Sequence, residues 1–564
     1  DLWFKQVEVL SFDGEHIQLG TPSEFKHKII MRTTSARTIL ILVMAIMGVT
    51  ALAQSSDAIL RDKITDAVMK VYDDQLAKEP GDYNTLFARA HQNYYNGDFT
   101  AALADVNQAM LLTPKADKDL RFDEYILRAR ISEARQDYSS ALTDLRLAQE
   151  IQPKSLPCID LIAKANLKMG NLDDAEKAFR SILRSESMNY DAMYGLAQVE
   201  LARGNAATAI EHVSKAVQLF RVEPQVYVNR ADIFARSGDT YSAVIDLLQG
   251  MNVGNGGTAA QCLFDLSDQD YNGVMDALDS LSNVLPDNGM LFRYLRANIA
   301  LDHTRYAQAL RDFNRVKDSG EYNTAALYYH LAKCCLELAR YDEAVTHADR
   351  TLEMEPSQLE AYLLKATALH SLHQDDDAMA TLDRCADIDP QYGPMLQAKA
   401  ALLSRQDNDN EALSYLNAAV ANAPDNTEAL LARALVLRRL GNEEEALKGF
   451  NALARFSDEL YDLKGFALSE LGRDNEMYAW LDMVTRQQMP GGENFYYAAA
   501  LMASRGAKAQ AMDYLRQALS SGYGSLRLLR DDDLAPFGVA QLREEPSFNT
   551  LLENAWRNFV EGDE

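Results

Sequence analysis

The sequence predicts an all-α chain built as a tandem array of helix–turn–helix units, and three regularities carry that prediction. Ala141, Ala175, Ala209 and Ala243 lie 34 residues apart, as do Ala344, Ala378, Ala412 and Ala446. Gly170, Gly204 and Gly238 keep the same interval, and so do Pro356, Pro390 and Pro424. Inside each period a second small residue stands 12 positions before the marker, as in Ala90 with Ala102, Ala163 with Ala175, Ala366 with Ala378 and Ala499 with Ala511. A fixed period sustained over several hundred residues marks an array in which each unit buries its apolar face on its neighbours.

The array follows an amino-terminal region of different character. Residues 1–30 are mixed in polarity and stand before Met31, so they read as a leader that translation from Met31 would leave out. From Met31, Arg32 and Arg37 precede an apolar stretch of 15 residues, Ile39 to Ala53, which closes on Ala51, Leu52 and Ala53 before Gln54. A basic start, a short apolar middle and small residues at the end make a secretory signal peptide over 31–53, with cleavage expected after Ala53. The mature chain is then exported, to a periplasm or outside the cell, with no membrane insertion. An uncleaved anchor is the alternative, although a spanning helix needs about 20 apolar residues. Residues 54–79, with Ile64, Val68, Val71 and Leu76 at helical spacing, read as a capping helix.

Small residues at fixed points on two successive helices let their backbones approach closely. Between them stand turn residues such as Asn96, Gly97 and Asp98, or Leu440, Gly441 and Asn442. Glycine there can take the left-handed conformation that ends the first helix. The second helix carries an apolar stripe, such as Ala175, Phe179 and Ile182, and stops near a proline such as Pro114, Pro153, Pro390 or Pro424.

These residues resemble the tetratricopeptide repeat, whose pattern has small residues at repeat positions 8, 20 and 27, an aromatic near 17 and proline at 32. The stretch from Tyr83 to Pro114 supplies Ala90, Gly97, Phe99, Ala102, Ala109 and Pro114 at positions 8, 15, 17, 20, 27 and 32. The resemblance covers residues 80–519 and implies a right-handed superhelical solenoid of about 12–13 units, closed by a helical cap over 520–564. The unit at 255–286 is degenerate, with Cys262 and Val274 at the paired positions.

The resemblance further implies that repeat positions 2, 5, 9 and 12 face a concave channel. Position 5 holds Phe87, Tyr194, Tyr294, Tyr329 and Tyr496; position 9 holds His91, Arg130, Asn298 and Lys333; position 12 holds Tyr94 and His370. Aromatic faces with polar tips suit an extended protein or peptide partner, although aromatics at position 5 equally suit packing between repeats. The Lys-and-Asn clamp that grips carboxylates in some arrays is missing, since Tyr294 precedes Asn298 and Tyr329 precedes Lys333.

Composition narrows the function. Asp and Glu number 83 against 56 Lys and Arg, and the resulting net charge of −27 repels polyphosphates, so no nucleic acid is expected as ligand. Five cysteines, an odd number, make no complete disulfide framework and read as small core residues. No phosphate loop, H-E-x-x-H or C-x-x-C occurs, and neither a catalytic residue nor a cofactor is expected. Asp268, Asp270, Asn272, Gly273 and Asp279 match the spacing of a calcium loop, with Asp279 where Glu is usual. Repeat register puts the same run on an ordinary interhelix turn.

The function expected is a non-catalytic scaffold that binds a protein or peptide in its channel, in a cell-envelope or secreted assembly. The alternatives are an accessory arm of an envelope enzyme complex, for instance in glycosyl transfer, and a glycan or lipid carrier. About 45 residues follow the array, below the size at which a core folds without help, which weighs against a catalytic domain there.

Overall fold

The computed structural model describes residues 8–12, 17–20, 68–254, 256–285, 288–456, 463–487, 489–530 and 537–557. The expected signal peptide, 31–53, and residues 54–67 of the expected capping helix lie outside the described residues. Within the leader, Glu8–Phe12 pairs antiparallel with Ile17–Gly20, Val9 opposite Leu19. No strand was expected there. From residue 68 onward every described element is helical.

A helix over 68–78 precedes thirteen helix pairs, numbered here as repeats 1 to 13. The chain forms two compact units, Asp1–Cys262 and Leu263–Glu564. The first holds repeats 1 to 5, from Tyr83–Tyr95 with Phe99–Leu112 to Pro224–Arg236 with Thr240–Asn252. The boundary falls in repeat 6, Gly257–Gln269 with Tyr271–Val284, the unit whose sequence is degenerate. In the second unit lie repeat 7 (Gly289–Asp302, Tyr306–Ser319), repeat 8 (Ala325–Glu337, Tyr341–Met354), repeat 9 (Leu359–Ser371, Asp375–Ile388), repeat 10 (Gly393–Arg405, Asp409–Asn422) and repeat 11 (Thr427–Arg439, Glu443–Leu453). Repeat 12 (Lys464–Glu470, Asp474–Thr485) and repeat 13 (Glu493–Ser504, Lys508–Ser520) complete it, followed by short helices at Leu526–Arg530 and Pro546–Trp556.

One residue with left-handed backbone makes the turn inside a repeat, except in repeat 6, where Asp270 has φ −145°. Gly97 has φ +81° and Gly170 φ +78°, after which Asp98 caps the second helix of repeat 1 by accepting from the Ala101 amide. Glycine is not universal at this place. Gln136, Thr304, Ala339, His373 and Asp407 occupy it in repeats 2, 7, 8, 9 and 10, all with φ between 56° and 62°. The turn geometry is therefore imposed by the packed helices even where the residue disfavours it.

The paired alanines are buried as their spacing requires. Ala163 and Ala175 meet with no exposed surface, against Phe179 and Ile182 of the same repeat and Ala192 and Leu196 of the next. Contact is close at Gly195, where an added Cβ would stand 2.3 Å from the Phe179 ring. A second periodic device was not read from the sequence. Arg89, Arg128, Arg230 and Arg296 each bind both oxygens of an aspartate 16 residues on, Asp105, Asp144, Asp246 and Asp312, through Nε and Nη2. Each pair ties the first helix of a repeat to its second. In repeats 9 and 10 the direction reverses, as Lys365 and Lys399 reach back 16 residues to Asp349 and Asp383 of the preceding repeat.

Candidate binding groove

In the second unit the first helices of repeats 8 to 11 line a groove of about 800 Å³. Successive repeats present equivalent residues to it. Glu360, Pro394 and Glu428 stand at position 2, Tyr329, Leu363 and Gln397 at position 5, and Thr367, Ala401 and Leu435 at position 9. Leu336, Leu364 and Ala398 add apolar surface, and Arg527 enters from the C-terminal segment. Because a helix repeats its face every three to four residues, one helix per repeat offers a short stripe, and four in register make an extended trough.

Acids outnumber arginines on this lining: Glu337, Glu360, Asp407, Asp409 and Glu428 against Arg405, Arg439 and Arg527. Arg439 is held by Asp409 Oδ1 and Ser404 Oγ, both at 2.8 Å, and that contact lowers the Asp409 carboxyl below its usual range. Arg527 is held by Glu337 at 3.0 Å. Glu360 differs. Its Oε1 accepts from the Tyr392 hydroxyl at 3.4 Å, while its buried Oε2 has no partner among the described residues.

Of the residues expected to face a channel, Tyr329 alone lines this groove. Burial, and next to it the Glu360 charge, pushes its phenol up to about 12. Three expected positions need correction. Tyr294 has no exposed surface and packs edge-on to Phe313, Asn298 is 3% exposed with its amide on the Tyr294 carbonyl, and Tyr496 is 2% exposed and stacks on Tyr523 at 4.8 Å. These rings fill the space between layers, the role an aromatic at helical spacing takes when its repeat neighbour closes over it. Lys333 is half-buried and adjoins His330 instead of the groove.

The remaining candidates belong to the first unit. Phe87 and His91 meet edge to face at 4.8 Å, Tyr94 packs on Phe99, and Arg130 lies near His91, whose imidazole is lowered by burial and then by that charge. Tyr194 donates to Asp232 of the next repeat at 2.8 Å and so fastens repeat 4 to repeat 5. The groove residues that were missed, Glu360, Leu363, Thr367, Gln397, Ala401 and Leu435, occupy the same repeat positions. They are not aromatic in repeats 9 to 11, and a search for aromatics passed over them.

The calcium reading is also corrected. Asp268 and Gln269 end one helix, Asp270 caps the next by accepting from the Gly273 amide at 3.0 Å, and the helix runs from Tyr271 to Val284. Asn272 and Asp279 are thus on a helix, with Asp279 bound to Arg296 at 2.5 Å, where a calcium loop must wrap its ion in open backbone. Asp268 instead joins Asp302 and His303 in the one cluster of this kind among the described residues. The His303 Nε2 there is already 3.0 Å from Ser267 Oγ.

The family model of the tetratricopeptide repeat matches residues 161–224 and 294–351, and that of the N-terminal repeat region of Psidin matches 334–433. Part of the groove and several of the paired alanines fall within these stretches, and it is over these residues that the similarity to tetratricopeptide repeats is shown. No curated protein matches the chain. Among solved structures, yeast Tom70 is similar at 15% identity and a TM-score of 0.32, covering 77% of this chain and 95% of its own. The Cut9–Hcn1 hetero-tetramer of the APC/C aligns at 14% identity and 0.30, over 86% and 94%. A tetratricopeptide repeat protein from Parabacteroides merdae aligns at 16% and 0.23, over 44% and 99%. Among the described residues no helix is long and apolar enough to cross a membrane.

Proposed function

We propose that this array is a non-catalytic scaffold that holds an extended protein or peptide segment along the groove of repeats 8 to 11. The observation that supports it is the trough itself: about 800 Å³, built from equivalent positions on the first helices of four successive repeats, with apolar surface between polar tips. Such a lining offers contact area for side chains together with hydrogen-bonding groups for a peptide backbone. A displayed library of random decapeptides, panned on the full chain and on Ala401→Arg, tests this reading. Peptides retained by the parent and lost by the variant support it. Peptides held equally by both overturn it.

The setting belongs to the same proposal. The basic, apolar and small-residue segments of 31–53 support export into an envelope or secreted assembly. Amino-terminal sequencing of the native protein should then begin at Gln54, and a mature chain that retains Ile39 to Ala53 would replace export by anchoring.

A further inference from the structure

Glu360 sets the chemistry of the groove. A carboxylate oxygen withdrawn from water without a donor is costly, and the cost disappears when a ligand brings the donor. Around Glu360 Oε2 the described neighbours do not provide it: Tyr392 serves Oε1, and the lysines of repeats 9 and 10 turn away, Lys365 to Asp349 and Lys399 to Asp383. Two phenol rings stand beside the carboxylate. The Glu360 charge acts on both Tyr329 and Tyr392, and each of those phenols is raised first by burial and next by that charge. A carboxylate with two phenol rings beside it in a half-buried trough favours a cation over a neutral donor, since aromatic rings attract a cation as well. The net charge of −27 draws cationic segments toward the chain in the first place.

Resting on the groove as binding site, we propose that its occupant is an extended polypeptide segment in which one lysine or arginine sits between apolar residues. The cation lies at Glu360 Oε2 between Tyr329 and Tyr392, and the flanking side chains lie on Leu363, Leu364 and Leu435.

Three synthetic decapeptides of serine and glycine test this, each with two leucines flanking a central lysine, norleucine or glutamate, titrated by fluorescence anisotropy into the full chain. The lysine peptide should bind about tenfold tighter than the norleucine peptide, and the glutamate peptide weaker than both. In Glu360→Gln the lysine preference should vanish while norleucine affinity stays. A preference that survives Glu360→Gln reflects the overall negative charge and overturns the assignment, as does equal affinity for all three or no binding of the lysine peptide. Carbodiimide cross-linking of the lysine peptide to the unaltered chain is read by mass spectrometry and needs no variant. A link at Glu360 supports the proposal, and links confined to acids outside the groove overturn it. Binding of all three peptides with no lysine preference, lost in Ala401→Arg, removes the cation and leaves the groove. Lysine-peptide binding undiminished in Ala401→Arg removes the groove itself.

Discussion

Arg527 reaches back 190 residues to Glu337: its Nη2 donates to Oε1 at 3.0 Å, and Ser525 Oγ donates to Oε2 at 2.5 Å. Both ionic side chains are 11% exposed, so the segment that follows repeat 13 is fastened to the first helix of repeat 8 by a shielded pair. Glu337→Ala removes the acceptor that Arg527 and Ser525 share in a shielded place, and should cost about 3 kcal/mol. Replacing both partners by methionine should recover most of it. Urea unfolding of the second-unit transition checks both, and a neutral Glu337→Ala would show that the pair contributes nothing.

The periodic ion pairs should differ in weight according to burial. Asp312 is 1% exposed and holds Arg296 through two bonds of 2.7 Å, so Asp312→Ala should cost about 3–5 kcal/mol. Asp349, half-exposed beside Lys365, should cost about 0–1 kcal/mol on the same change. Similar losses in chemical denaturation would mean that burial does not set the scale here.

Gln136 sits at φ +62° on an exposed turn where repeats 1, 3, 4 and 5 have glycine. Gln136→Gly should therefore stabilise the first unit by about 1 kcal/mol, against the usual direction of glycine substitutions. A lowered melting temperature would contradict the strain.

Tyr294 carries a buried hydroxyl with no hydrogen-bond partner among the described residues. Tyr294→Phe should be neutral or stabilising, whereas Tyr294→Ala should cost about 3–5 kcal/mol through the cavity it opens. Neither should alter groove binding. Tyr329→Ala should do the reverse, weakening a groove peptide by about 1–2 kcal/mol with little loss of fold.

His330 packs against Tyr294 and Phe313, with Lys333 as the nearby charge, and burial followed by that charge pushes its imidazole from 6.5 down to about 3. The folded state binds this proton more weakly than the unfolded state. Stability is then lost as pH falls below about 6.5, by about 1–2 kcal/mol at pH 5 for a ring that keeps part of its edge exposed. His330→Phe should flatten melting temperature against pH between 7 and 5, and an unchanged slope would exclude His330 as its source.

The helix pairs were legible because Ala at positions 8 and 20 repeats in register, and small-residue spacing maps directly onto helix contacts. The groove was half legible. Residues at positions 2, 5 and 9 line the groove, and the expected channel positions 2, 5, 9 and 12 include them, but Tyr294 and Tyr496 share their position with Tyr329 and are buried, because the depth of a position depends on how far the next layer closes over it. No local pattern encodes that. The Arg-to-Asp interval of 16 residues was readable in Arg89 and Asp105 or Arg296 and Asp312, yet charges on helices are ordinarily read as solvated faces. The contact of Glu337 with Arg527 leaves no trace in the sequence, since it is a single pairing outside the period.

The same pairing imposes a schedule on biosynthesis. An array whose layers touch only their neighbours can zip up as it is made, each repeat settling on the one before. Glu337 cannot. Its partners lie 188 and 190 residues downstream, and at about 5–20 residues per second the ribosome delivers them about 10–40 s later. During that interval repeat 8 carries a carboxylate shaped for a contact that does not yet exist, and the end of the groove that Arg527 borders stands open. The second unit thus closes this end of its groove only long after the repeats that line it have been made.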